Sequence, residues 1–213
     1  MIRFVTGTDT GVGKTVASAW LAASARDAGR RVRYVKPVQT GLANGAPGSD
    51  ADFVAVATGV PADELLRFDG PLAPAVAAEL AGTSIDAEAL VASVKALAVD
   101  VEELIVEGAG GLLVPLADGW TMADLAAALG AELVVVVRPG LGTLNHTALT
   151  LEAARARGLP VAGLIISGWP DDPGVTERTN LERLRAMAPV LQLIPIAAGL
   201  SVEDGESGDL FQM

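Results

Sequence analysis

Lys14 and Thr15 close a glycine-rich stretch, "GTDTGVGKT" (residues 7–15), of the kind that holds phosphate. Glycines let backbone N–H groups curl around phosphate oxygens, and the start of a following helix adds its positive dipole end. A lysine in this setting can reach the β- and γ-phosphates, and the hydroxyl beside it can ligate Mg²⁺. Gly11, Val12, Gly13, Lys14, Thr15 and Val16 are therefore candidate nucleotide-binding residues. The spacing departs from the common G-x-x-x-x-G-K-[ST] pattern. Counting back from Lys14, residue 8 is Thr, and the nearest glycine, Gly7, comes one place early.

Further candidates follow other apolar runs. Lys36 opens "KPVQTG"; it is either a surface lysine with an apolar stem or a cation pointing into a crevice, with Pro37 stiffening the exit. Thr40 and Gly41 bring a hydroxyl and N–H groups nearby. In "GSDADF", Ser49 or Asp50 can cap a helix, or one carboxylate can serve Mg²⁺; the residues alone favour the cap. Glu107 ends the run "ELIVE", where a charge is costly unless paired or metal-bound, and Gly108, Ala109 and Gly110 permit close approach of a ligand. A carboxylate facing a phosphate loop is a place for Mg²⁺.

"RPGLGTLNHT" puts glycines before a helix whose free N–H groups can bind a carboxylate, with Thr143 also a plain N-cap candidate. His146, the only histidine, reads as structural. In "SGWPDDPG", Trp169 either stacks on a base or fills the core, and Asp171 and Asp172 read as turn residues.

These segments need a scaffold, and the chain alternates strand-like and helix-like runs. Strands are expected at 2–6, 32–36, 103–107, 132–137, 161–166 and 190–195. Helices are expected near 14–28, 50–58, 74–81, 86–98, 121–129, 144–157 and 175–187. Runs such as "LVVVV" suit strands buried on both faces. The alternation predicts an α/β fold, mainly a parallel sheet with helices on both faces. Ligands of such sheets bind beyond the carboxyl ends of the strands, where the candidate residues fall. Residues 37–49 read as a loop, and the tail from about 200 as acidic and loose.

Length and composition agree with one domain spanning 1–213. The hydrophobic fraction is 51% and the formal charge −11, a sign that repels nucleic acid and anionic membrane. There is no cysteine, hence no disulfide and no thiolate chemistry. The N-terminus lacks a signal-peptide layout, and no apolar run approaches the roughly 20 residues of a membrane span. The expected location is the cytoplasm. Only Lys14, Lys36 and Lys95 are lysines among many arginines, and two of the three follow strand-like runs.

The ordered set "GTDTGVGKT", "KPVQTG", "SDAD", "VEGAGG" and "LGTLNHT" resembles the dethiobiotin synthetases, from residue 1 to about 197. That family's phosphate loop has the G-x5-G-K-T spacing found here. The resemblance implies a three-layer P-loop NTPase-type fold and a homodimer. It also implies ATP- and Mg²⁺-dependent joining of CO₂ to 7,8-diaminononanoate. One amine becomes a carbamate, the carbamate attacks the γ-phosphate, and the second amine closes a cyclic urea. It further implies that Lys14 and Lys36 stabilise the transferring charge, and that Thr15, Asp50 and Glu107 hold Mg²⁺. Thr10, Lys36 and Thr40 would meet the diamine or its carbamate. Gly142, Thr143, Leu144 and Asn145 would bind its far carboxylate across the dimer. Ser167, Gly168, Pro195, Ile196 and Ala197 would flank the nucleotide.

Two departures stand out. Gly11 replaces a Glu found in some members, and Ser167-Gly168 replaces an Asn-Asp pair that reads adenine. The latter implies a broader nucleotide range than ATP alone.

Two other readings share some of these motifs. Corrin side-chain amidating synthetases need a glutamine-hydrolysing domain, for which this chain lacks length and cysteine. Partitioning or septum-site switch ATPases usually carry a second lysine early in the loop; here those positions are Thr8, Asp9 and Thr10.

Overall fold

A computed structural model describes residues 1–195; the expectations for Ile196, Ala197 and the acidic tail lie outside the described residues. Seven strands form one parallel sheet: β1 (Ile2–Gly7), β2 (Val32–Thr40), β3 (Ala62–Phe68), β4 (Glu103–Gly111), β7 (Glu132–Val137), β8 (Val161–Trp169) and β9 (Val190–Pro195). Their order is β3-β2-β4-β1-β7-β8-β9. A hairpin of β5 (Pro115–Ala117) and β6 (Trp120–Thr121) lies outside the sheet.

The apolar runs divide by alternation. Phe4, Leu104, Val106, Leu133, Val135 and Leu164 face one core. That core also takes in Ala78 of α3 (Pro74–Leu80), Leu90 of α4 (Ala87–Leu97), Leu125 of α5 (Met122–Ala128), Leu151 of α6 (Thr143–Ala156) and Leu184 of α7 (Val175–Met187). Val5, Ile105, Val134, Val136 and Ile165 face the other, under α1 (Lys14–Asp27) and α2 (Asp50–Thr58). Alternate side chains of a strand point to opposite faces, so continuous apolar runs are required when helices cover both. The chain thus has a three-layer α/β fold.

Besides the β5–β6 hairpin, which was not expected, and the run of β4 past residue 107 to Gly111, three segments differ from the expectation. β2 runs four residues beyond Lys36, through Pro37 to Thr40. Its pairing with β4 ends at Val35, so Pro37 falls where β2 has β3 as its only neighbour, the kind of place a strand proline is tolerated. β3 itself was not expected. Its sequence, "ADELLRF", carries charges that suit an edge: Asp63 pairs with Arg33 at 2.5 Å and Glu64 with Arg67 at 2.6 Å. β8 likewise continues through Ser167 and Gly168 to Trp169, which packs against the first core rather than standing free for a base.

Because the strands are parallel, the loops after β1, β2, β4, β7 and β8 leave the same edge of the sheet. The cavity described next lies there.

Candidate active site

The early glycine of the phosphate loop has a steric cause. A Cβ on Gly7 would lie 2.7 Å from both the Asp9 carbonyl oxygen and Val12 Cγ2, so the loop folds back too tightly for any side chain there. Gly11 and Gly13 sit at φ +69° and +92°, the left-handed region that glycine enters without strain. Gly13 is the N-cap of α1, with no side-chain cap and no acid in the first turn. The helix therefore keeps free N–H groups and an uncompensated positive end toward the cavity. Lys14 is buried, with Nζ donating to the Asp9 carbonyl at 3.1 Å. Burial, helped by the Lys36 charge, lowers its pKa despite the nearby carboxylates.

The capping question at α2 resolves in favour of Ser49. Its hydroxyl accepts from Asp52 N at 3.1 Å, and Asp52 Oδ2 accepts from Ser49 N at 3.0 Å, a capping box. Asp50 is thereby left free to point elsewhere. Its Oδ1 accepts from Thr15 Oγ1 at 3.0 Å, and its Oδ2 lies 2.6 Å from Lys36 Nζ. Its backbone N–H donates to Gln39 Oε1 at 3.2 Å. Burial opposes the Asp50 charge, but Lys36 outweighs it and holds the carboxyl below its ordinary range.

Glu107, 1% exposed, is held by four donors. Thr15 Oγ1 and Lys36 Nζ reach Oε1 at 3.1 and 2.8 Å; Ser18 Oγ and Tyr34 OH reach Oε2 at 2.9 and 3.0 Å. Lys36 also donates to the Gly108 carbonyl at 3.3 Å. Burial works against the Lys36 ammonium, yet Glu107 and Asp50 raise its pKa above the ordinary lysine value. Burial, with the Glu107 charge, pushes Tyr34 well up, so the phenol is a standing donor. Two cations and two carboxylates thus meet in one buried cluster.

The cluster opens into a cavity of about 600 Å³. Of the expected residues, Thr10, Gly11, Gly13, Lys14, Thr15, Val16, Lys36, Thr40, Asp50, Glu107, Ala109 and Gly110 line it. Gln39, Val114 and the Pro71–Pro74 turn line it too, without having been expected. Thr15, Asp50 and Glu107 offer a hydroxyl and two carboxylates, hard oxygens that suit Mg²⁺. Among the described residues no three His, Cys, Asp or Glu come together, so a metal here would be completed by phosphate oxygens and water.

Other expected residues lie elsewhere. Val12 is buried in the core under α1, and Gly108 is packed so that a Cβ would meet the Phe4 ring at 2.9 Å. Ser167 backs onto the phosphate loop: a Cβ on Gly13 would come within 2.9 Å of its Cβ. Gly168 adopts φ +79°, and Pro195 ends β9 opposite Trp169. Gly142, Thr143, Leu144 and Asn145 open α6 and do not line the cavity. The N-cap there is Gly142, at φ +92°, not Thr143, whose hydroxyl is buried without a hydrogen-bond partner. Arg138, unremarked in the sequence, donates to the Thr10 carbonyl at 3.0 Å and lies 3.9 Å from where a Gly11 Cβ would stand.

Ser18, Tyr34 and Gln39 were also missed. Their spacing was the available signal: Ser18 is one helical turn after Thr15, and Tyr34 is two strand residues before Lys36.

A family model described as an AAA domain matches residues 3–203. An ATP-dependent dethiobiotin synthetase BioD of Mycobacterium avium is 51% identical, over 97% of this chain and 92% of its own length. Its counterpart from Rhodococcus jostii is 48% identical over 93% and 87%. Among solved structures, the septum site-determining protein MinD of Pyrococcus horikoshii, complexed with Mg-ADP, superposes with a TM-score of 0.58 at 17% identity. It spans 92% of this chain and 82% of its own. A ParA family ATPase of Chlorobium tepidum gives 0.61 at 16%, over 92% and 84%. Those two likenesses establish the fold alone. The full-length identity to the synthetases goes further: the chain belongs to the ATP-dependent dethiobiotin synthetase family.

Proposed function

We propose that this protein closes the cyclic urea of dethiobiotin from 7,8-diaminononanoate, CO₂ and ATP, a ligase step of biotin biosynthesis. The observation that carries the reading is the convergence of Lys14, Lys36, Thr15, Asp50 and Glu107 on one cavity behind a phosphate loop.

Phosphoryl transfer asks mainly for positioning and charge neutralisation. The free N–H groups at the start of α1 and the Lys14 ammonium hold the β- and γ-phosphates. Thr15, Asp50 and Glu107 are the residues that would hold Mg²⁺. Bound there, the ion would screen phosphate charge as it shifts in the transition state. Lys36 faces the same space from β2 and would stabilise the carbamate and the γ-phosphoryl oxygens together. The carbamate oxygen attacks phosphorus, ADP leaves, and a carbamic–phosphoric anhydride remains. The second amine then attacks the carbonyl carbon and expels phosphate. Thr10 and Thr40, which both line the cavity, would orient the diamine.

The start of α6, Gly142 to Asn145, lies outside the cavity of its own chain, which supports its use by a partner subunit in a homodimer. The exposed Leu141, Leu113 and Leu149 (96%, 48% and 57% accessible) provide apolar surface for such a pairing. Light scattering at the mass of a single chain would reject the dimer. Ser167 packs its side chain against Gly13 and Gly168 has none, so a base meets little beyond backbone groups, and ATP and other nucleoside triphosphates would serve. Among the described residues no helix is long and apolar enough to cross a membrane, in keeping with a cytoplasmic enzyme.

The test is stimulation of phosphate release. 7,8-Diaminononanoate with bicarbonate should stimulate it, and DNA or lipid vesicles should not. Stimulation by DNA or lipid alone would replace this reading with a switch ATPase.

A further inference from the structure

The two oxygens of Glu107 have separate clienteles. Oε1 receives Thr15 and Lys36, both cavity-lining; Oε2 receives Ser18 and Tyr34, neither of which lines the cavity. Ser18 and Tyr34 are each 0% exposed. The arrangement repeats in two elements. On α1, Thr15 serves the front oxygen and Ser18, one turn later, the back one. On β2, Lys36 serves the front and Tyr34, two residues earlier on the same face, the back.

Tyr34 belongs to the apolar core under α1, where a phenyl ring alone would serve for packing. A phenol in that core costs desolvation unless its hydroxyl is bonded, and its hydroxyl is spent on a carboxylate. A glutamate's last torsion is broad and roughly two-fold, so contacts to one oxygen alone leave the carboxylate plane poorly fixed. A carboxylate has about four lone-pair sites, and here two donor groups approach each oxygen, the single Thr15 proton being shared between Oε1 and Asp50 Oδ1. A cation bound at Oε1 competes with Lys36 and Thr15 for that oxygen but leaves the two contacts on Oε2 untouched.

We infer that Tyr34 and Ser18 are positioning residues that lock the Glu107 carboxylate from behind, so that Oε1 is the oxygen presented to a divalent cation in the cavity. The inference rests on the reading of Glu107 as a metal ligand.

The test measures Mn²⁺ binding by electron paramagnetic resonance, with a non-hydrolysable ATP analogue present, for Tyr34→Phe, Ser18→Ala, the double variant and Glu107→Gln. Outer partners of metal ligands typically govern affinity by about 10–100-fold, and losses in that range are expected for Tyr34→Phe and Ser18→Ala. Because both act on one oxygen, the double variant should lose less than the product of the two. Raising Mg²⁺ should restore turnover in Tyr34→Phe, which a folding defect would not allow. If Tyr34→Phe fails to fold, Ser18→Ala carries the test by itself. Mn²⁺ affinity within about twofold of wild type in the folded variants, with Glu107→Gln clearly weakened, overturns the inference and leaves the metal reading intact. Unchanged affinity in Glu107→Gln sinks the metal reading and the inference with it.

Discussion

The Lys36 ammonium lies 2.6 Å from Asp50 Oδ2, an ion pair joining the middle of β2 to the first residue of α2. The contact ties the cation proposed for catalysis to a carboxylate proposed for metal binding, and Glu107 completes the bridge at 2.8 Å. Both carboxylates hold Lys36 charged in a place that burial would otherwise empty of charge.

Removing the cation should separate binding from chemistry. Lys36→Ala is expected to bind nucleotide through the intact phosphate loop, measured with a fluorescent analogue. Its turnover should fall by about 10²–10³, the usual loss when one preorganised charge-stabilising group is deleted. It should also be destabilised, by about 3–5 kcal/mol, because the buried Glu107 carboxylate loses its cation and the half-buried Asp50 loses its partner. Near-normal turnover would show that Lys36 is structural only.

The same pair sets a pH dependence. Asp50 is held below its ordinary 3.8, so its contribution to stability is fully present above that value. It is lost as pH falls through the lower native value. Lys36 is raised above 10.5, so its contribution is present below that value and lost as pH rises through the higher native one. Denaturant unfolding of wild type and Asp50→Asn should therefore differ at neutral pH and converge in acid. A gap that stays constant down to about pH 2 would contradict the pairing.

Ser49 frees Asp50 by taking the cap, and its removal should be felt. Ser49→Ala is expected to cost about 1 kcal/mol in thermal or denaturant unfolding. No loss would show that the capping box at α2 is redundant.

Base selectivity should be loose. Ser167 packs behind Gly13 and Gly168 has no side chain, so little remains to read a base edge. ATP, CTP and GTP should support comparable initial rates at saturation; strict ATP dependence would contradict this.

The sequence carried most of the frame because its signals were strong where burial is complete. β1, β4 and β7 are apolar runs flanked by helices, and the seven helices among the described residues fall within a residue or two of the expected ranges. β3 was illegible because an edge strand can carry Asp63, Glu64 and Arg67 without breaking a core. The β5–β6 hairpin was announced by Asp118-Gly119, a turn pair with Gly119 at φ +68°, and was overlooked. In the site, Lys14, Thr15 and Glu107 were readable from type and place. The role of Asp50 was not, since nothing local says which of Ser49 and Asp50 caps α2. Tyr34 and Ser18 were hidden for another reason: their partner, Glu107, lies 73 and 89 residues away. The start of α6 was legible as a helix start, but the Thr143 N–H is taken by the Gly140 carbonyl, and its place outside the cavity lining is a property of the fold.

The central claim is the ring closure itself, and mass spectrometry of the product tests it most directly. Purified protein incubated with 7,8-diaminononanoate, ¹³C-bicarbonate, Mg²⁺ and ATP should yield dethiobiotin with the label in the ureido carbon and one phosphate released per ring. ATP hydrolysis without a labelled cyclic urea would contradict the account.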